Sequence, residues 1–197
     1  IDSSYAQVGK SLNMPTHAYM GATDSKRLDM QAGLESGITA MIGALSGINM
    51  ISGSGMLDFL LCHSAEKLVI DAEGVAMAQR MLQGMKIHTE TLATGFYEGV
   101  NFKGGDFLKQ RITMQLFQKE QNMPSAIIDR NSMRGWKEGG SLDTFDRAKV
   151  RVNQLLASYR RPELDPAQVN KLHLFVLDLA RQAGAESLPF IEDFEPA

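Results

Sequence analysis

Two short apolar segments, each followed by a polar turn and then by a long helical pattern, constrain the fold of this chain more than any other feature. The first, Thr16-His17-Ala18-Tyr19-Met20-Gly21, is partly alternating and closed by glycine, the pattern of a short buried strand. Thr23-Asp24-Ser25 follows as a capping turn, and a helix is expected from near Lys26. Ile48-Asn49-Met50-Ile51-Ser52 reads as a second strand. After it, Gly53-Ser54-Gly55-Met56-Leu57-Asp58-Phe59 reads as a loop running on to Cys62-His63, before a helix from about Ser64 to Leu82. Strand, loop and helix repeated twice is the grammar of a parallel α/β sheet, whose working ends are the loops after the strands. The first helix carries Gly33, Gly37, Gly43 and Gly47. Glycine inside a helix costs about 1 kcal/mol relative to alanine, so close packing against a sheet or a second helix is the expected compensation.

Beyond Leu82 the pattern is helical, and no further strand is read. His88 to Gly99 reads as a short helix, Gly105-Asp106 caps another to about Gln121, and Asn131 to Lys137 forms a turn or two. Leu142 to Arg160 is long and amphipathic, and Asp165-Pro166 starts a last helix to about Ala183, with proline at the first helical position. The opening residues read as the middle of a helix ended by Asn13-Met14-Pro15, so the 197 residues are expected to be a fragment.

Charge and cysteine usage exclude several function classes. A net charge of −3 argues against a duplex-nucleic-acid protein, which needs many phosphate contacts. No apolar run approaches the roughly 20 residues of a membrane-spanning helix, so no membrane partner is expected. Cys62 is the sole cysteine, too few for an internal disulfide or a cysteine-rich zinc site, and no metal site is expected. A cytoplasmic location fits that usage. Residues 103–161 hold 12 basic and 6 acidic side chains, a face that either steers an acidic partner or is neutralised by the acidic tail Ile191-Glu192-Asp193-Phe194-Glu195.

An ordered set of segments carries a resemblance. Gly21-Ala22-Thr23-Asp24-Ser25-Lys26, Asp29-Met30-Gln31-Ala32-Gly33, Ala44-Leu45-Ser46-Gly47-Ile48-Asn49 and Gly53-Ser54-Gly55-Met56-Leu57 come first. Glu66-Lys67-Leu68-Val69-Ile70-Asp71, Gly104-Gly105-Asp106-Phe107-Leu108 and Ile128-Asp129-Arg130 extend the set. Over residues 1 to about 160 the chain resembles the trimethylamine methyltransferase family. That resemblance implies the C-terminal portion of a TIM (β/α)8 barrel, with residues 1–100 supplying βα units and 101–197 a helical C-terminal extension. It implies transfer of a methyl group from a quaternary amine or methylamine to a cobalt(I) corrinoid (cobalamin) carried by a partner protein. Trimethylamine-using members carry pyrrolysine in the loop corresponding to Gly53–Phe59, and every letter here is standard. The resemblance therefore points to the branch whose substrates are glycine betaine and related quaternary amines.

In such a reaction cobalt(I) displaces a neutral tertiary amine, so no general acid is required, and the pocket needs aromatic faces, a carboxylate for the cation and a polar group for the substrate's own carboxylate. The candidate substrate-binding residues are Asp58, Phe59, His63 and Met56 in the second loop, Asp24 in the first, and Tyr19 on the strand. Each has a plainer reading. Phe59 can be core, His63 can bond a backbone carbonyl, Asp24 can cap the next helix, and Tyr19 can fill the barrel interior. Lys26 can likewise be a first-turn surface residue. Asp129 and Arg130 are read as pinning their segment, and Trp136 as packing.

Two other functional classes stay open. One is a non-catalytic helical oligomerisation module, with Met77, Met81 and Met85 at four-residue spacing as a contact, and homo-oligomerisation is expected of exposed sheet edges in either case. The other is a phosphate-binding barrel using Gly53-Ser54-Gly55 and Gly104-Gly105.

Overall fold

The computed structural model describes residues 1–87, 92, 97, 100 and 105–185. The chain divides into two compact units, Ile1–Ala157 and Ser158–Ala197. The first is an α/β arrangement, mostly helical with few strands. Helix α1 (Asp2–Ser11) leads into β1 (His17–Ala18), then α2 (Met30–Leu45) and β2 (Met50–Ile51). A hairpin of β3 (Met56–Leu57) and β4 (Cys62–His63) precedes α3 (Ala65–Leu82), and α4 (Arg111–Phe117), α5 (Met133–Glu138) and α6 (Thr144–Ser158) follow.

β1 and β2 pair in parallel, with His17 opposite Met50 and Ala18 opposite Ile51, and α2 is the crossover that parallel pairing requires. Alternation along β1 sends Ala18 and Met20 into a small core with Ala6 and Ile48, against which Ile51 packs, and leaves His17 and Tyr19 exposed. Burying a side chain the size of Met20 or Ile48 contributes about 1.5–3 kcal/mol. Gly43 is where α2 lies down on this core, since a Cβ there would stand 2.7 Å from Ile51 Cδ1 and 3.1 Å from Met20 Sδ.

The other glycines of the run act differently from expectation. Gly47 follows the helix with φ +66°, a left-handed terminator, while added Cβ atoms at Gly33 and Gly37 would meet nothing within 4 Å. Close packing on the strand pair therefore accounts for Gly43 alone, while a Cβ at Gly47 would stand 2.0 Å from Lys10 Nζ.

Helix α2 starts four residues later than expected. Its N-cap is Asp29, whose carboxylate accepts from the Ala32 N–H at 3.1 Å. That hydrogen bond, foremost among several, holds the Asp29 carboxyl below its ordinary value. Helix α3 begins where expected, with Ser64 as its N-cap accepting from the Lys67 N–H at 3.2 Å. The hairpin is a correction to the expected continuous loop: Met56 pairs with His63 and Leu57 with Cys62, antiparallel. Asp106 caps only the single turn Phe107–Lys109, after which Gln110 is extended and α4 begins afresh. Asp129 pins its segment through Arg147 of α6, 3.4 Å away, and Trp136 donates its indole N–H to the Leu142 carbonyl. Most of the helix expected over 88–99, and all of the acidic tail, lie outside the described residues.

In the second unit α7 (Pro166–Gln182) starts as read, with Pro166 in the first turn and Asp165 capping the Ala167 N–H at 3.1 Å. None of its residues is buried, and Leu172, Leu174, Phe175 and Leu179 stand exposed. Among the described residues no helix is long and apolar enough to cross a membrane.

Candidate functional site

The segments that follow β1 and β2 are stitched together by backbone hydrogen bonds well past the strands themselves. Gly53 N–H donates to the Met20 carbonyl, Thr23 N–H to Met56 and Asp58 N–H to Ser25, at 3.1, 3.3 and 3.1 Å. Gly53 permits the approach, because a Cβ there would lie 2.4 Å from the Met20 oxygen. The first loop is braced from α2 by Glu35, whose Oε2 accepts from the Thr23 hydroxyl at 2.5 Å and from the Asp24 N–H at 2.9 Å. Those two hydrogen bonds, the Thr23 one first, keep the Glu35 carboxyl below its usual value.

Beneath both loops lies a buried ion pair that the sequence did not announce. Lys67 is 1% exposed, and its Nζ donates to Asp71 Oδ2 at 2.5 Å, Ser36 Oγ at 2.7 Å and the Gly21 carbonyl at 3.2 Å. Asp71 Oδ2 also accepts the Gly55 N–H at 2.8 Å. One lysine and one carboxylate thus tie the end of the first strand, helix α2 and the second loop to α3. Every donor of the lysine is used, which is what makes a buried ammonium tolerable.

The hairpin tip is strained. Asp58, Phe59 and Leu60 have φ of 49°, 54° and 73°, three successive residues in the left-handed region without a glycine among them. Each costs roughly 1–2 kcal/mol. The turn is held by the Leu61 N–H on the Asp58 carbonyl at 2.9 Å, and by the Asp58 N–H on Ser25. Such strain is commonly stored where function needs a side chain aimed.

What it aims is a carboxylate and a ring at one ammonium. Lys26 Nζ from the first loop lies 3.1 Å from Asp58 Oδ1, 4.3 Å above the centroid of the Phe59 ring and 2.9 Å from the Asp24 carbonyl. Phe59 is 61% exposed, so it is not core. At exposed sites a cation over a ring contributes about 0.5–1 kcal/mol and an ion pair about as much, so the ammonium is displaceable.

The remaining candidates fall as follows. His63 is exposed, stands opposite Met56 and rests on Gly55, where a Cβ would lie 2.7 Å from its Nε2. Gly55 has φ +83°, so both its conformation and the ring above it call for glycine. Among the described residues no side chain or carbonyl hydrogen-bonds the His63 ring. Met56 is half-buried and gives its carbonyl to Thr23. Asp24 is exposed and leaves the capping role to Asp29, and its contribution to the cluster is its carbonyl on Lys26. Tyr19 stands 5.0 Å edge-to-face from His17 on the uncovered side of the strand pair. His17 in turn shares a 2.6 Å hydrogen bond with Ser52 Oγ, and its carbonyl accepts from the Tyr5 hydroxyl. Asp58 and Phe59 are thus brought together, with Lys26 between them, whereas Tyr19 belongs to a separate group. Among the described residues no cluster of His, Cys, Asp and Glu could hold a metal ion.

The chain is therefore an α/β protein whose strand-end loops present a carboxylate and an aromatic face to a cation. Its sequence matches the profile of the trimethylamine methyltransferase (MTTB) family over residues 1–184, and it belongs to that family. It is 32% identical over 185 residues to the glycine betaine methyltransferase of Desulfitobacterium hafniense (strain Y51), covering 93% of this chain and 38% of that protein. The trimethylamine methyltransferase MttB2 of Methanosarcina mazei is 31% identical, with 94% and 37% covered, and MttB1 of Methanosarcina acetivorans is 33% identical, with 93% and 36% covered. The chain spans less than two-fifths of the length of these relatives.

Proposed function

We propose that this chain is the part of an amine methyltransferase that holds the cationic head of a quaternary amine such as glycine betaine, one methyl of which passes to a cobalt(I) corrinoid on a partner protein. The observation that carries the reading is the Lys26 ammonium resting between the Asp58 carboxylate and the Phe59 ring, a cation already seated in the surroundings a quaternary ammonium needs. Family membership supports methyl transfer from an amine, and the relative named glycine betaine methyltransferase supports the substrate.

In this reading Phe59 offers its face and Asp58 its charge to the trimethylammonium group, and His63, exposed on the second strand of the same hairpin, hydrogen-bonds the substrate's carboxylate. Met56 lines the hairpin opposite His63, and Asp24 shapes the loop through its carbonyl. Tyr19, with His17, lies on a sheet face that α1 and α2 leave uncovered, as the interior face of a barrel would be. The parallel β1–α2–β2 unit supports assignment to a (β/α)8 barrel, with residues 1–100 as βα units and 101–197 as the helical extension. The tip is open: Phe59 and Leu61 are 61% and 82% exposed, leaving room for a bulky methyl acceptor. The corrinoid supplies the nucleophile when its carrier docks, and the residues of this chain orient the methyl toward it and need donate no proton, because the leaving amine is neutral.

The test is binding. In the full-length protein, the N-methyl proton signal of glycine betaine should broaden saturably, and Phe59→Ala should shift that saturation to about 2- to 5-fold higher glycine betaine. A parent protein that leaves the signal sharp, or a Phe59→Ala variant that saturates at the same concentration, contradicts the reading.

A further inference from the structure

Lys26 raises a question of charge balance that the quaternary-amine reading leaves open. Its ammonium occupies the same carboxylate and the same ring that a substrate cation would take, and it stands on the neighbouring loop, 62% exposed. Its three contacts, Asp58, Phe59 and the Asp24 carbonyl, all involve groups at or beside the strand-end loops. Lys26 and Asp58 together are neutral. A simple monocation that took over Asp58 and Phe59 would leave the displaced ammonium unpaired beside a second positive charge. A zwitterion would not, because its carboxylate gives the displaced ammonium a new partner of opposite sign.

Resting on that reading of the site, we infer that Lys26 is the site's selector for zwitterions: its ammonium holds the empty cation site and moves to the substrate's carboxylate when a quaternary ammonium displaces it. The displaced lysine is then both a competitor against bare cations and the counter-charge for betaine-like substrates. Specificity arises from a repulsive element for one class and an attractive one for the other, carried by a single side chain. His63 supplies a hydrogen bond to the same carboxylate, whereas Lys26 supplies the charge.

The experiment is calorimetric titration of the full-length protein with two probes of equal cationic head, glycine betaine and tetramethylammonium. Three proteins are compared: the parent, Lys26→Met and Lys26→Arg. The parent should prefer glycine betaine. Lys26→Met should weaken glycine betaine and tighten tetramethylammonium, changing the ratio of dissociation constants by about 10-fold or more, which corresponds to about 1.4 kcal/mol. Lys26→Arg keeps the charge and should keep the preference, which separates selection from any general damage to the loop. If the parent binds both probes and Lys26→Met shifts them by the same factor, or shifts neither, the selector role is overturned while the quaternary-amine reading stands. If the parent binds neither probe, that reading and this inference fall together.

Discussion

Lys67 Nζ lies 2.5 Å from Asp71 Oδ2, one turn further along the same helix, and that oxygen also accepts the Gly55 N–H at 2.8 Å. The pair is a joint between α3 and the backbone of both strand-end loops, reached through Gly21 and Gly55, and helix α2 joins it at Ser36. A buried pair of this kind holds a geometry in place more than it adds net stability.

Breaking that joint from one side should be costly. Lys67→Met leaves the Asp71 carboxylate without its cation, and Asp71→Asn leaves a buried ammonium without its anion, so each should destabilise by about 3–5 kcal/mol. The double variant should lose less than the sum of the two. Urea denaturation of all four proteins measures the coupling, and strict additivity would show that the pair does not act as a unit.

Glu35 gives the first loop a pH dependence with a definite sign. Its carboxyl is held below its ordinary value by the Thr23 hydroxyl and the Asp24 N–H, so it contributes stability that is fully present above the ordinary glutamate value. That contribution is lost as pH falls through the lowered value. Glu35→Gln should therefore be less stable than the parent near neutrality, and the difference should shrink on acidification below about pH 4.3. Denaturation midpoints of the two proteins from pH 7 to pH 3 check this, and a constant gap across the range would contradict it.

The left-handed tip can be probed without touching the carboxylate or the ring. Leu60 has φ 73°, and asparagine tolerates that region far better than a branched apolar residue does. Leu60→Asn should raise stability by about 0.5–1 kcal/mol, measured as a shift in the urea midpoint. A loss of stability of that size would mean that the Leu60 side chain, partly exposed in the structure, is worth more than the strain it carries.

Much of this was legible in the sequence, and what escaped has physical causes. The two strands and the caps of α3 and α7 were readable because each rests on local chemistry: alternation, a serine, an Asp-Pro pair. The start of α2 lies four residues beyond where the pattern puts it because Thr23 and Ser25, good caps by type, hydrogen-bond elsewhere, Thr23 to Glu35 and Ser25 to the Arg27 carbonyl and Asp29. The hairpin leaves little trace in the sequence because its strands are two residues long and its tip uses Asp58, Phe59 and Leu60 where a turn would normally advertise itself with glycine or asparagine. Lys67 was invisible as a buried group, since a lysine followed four residues later by an aspartate on a helix reads as an ordinary surface pair. Its burial depends on α2 and two loops arriving from elsewhere. Asp58 and Phe59 were readable as neighbours on a loop, but the ammonium between them comes from 32 residues earlier, a juxtaposition that only the stitching of the two loops creates.

The most direct measurement is methyl transfer by the full-length protein from glycine betaine to cobalt(I) cobalamin, followed by the absorbance change of methyl-cobalt formation. The parent should form methylcobalamin, and Phe59→Ala, which loses one cation–ring contact, should do so about 2- to 5-fold more slowly at low glycine betaine. No methylcobalamin from the parent with glycine betaine or other quaternary amines, or an unaltered rate in Phe59→Ala, would contradict it.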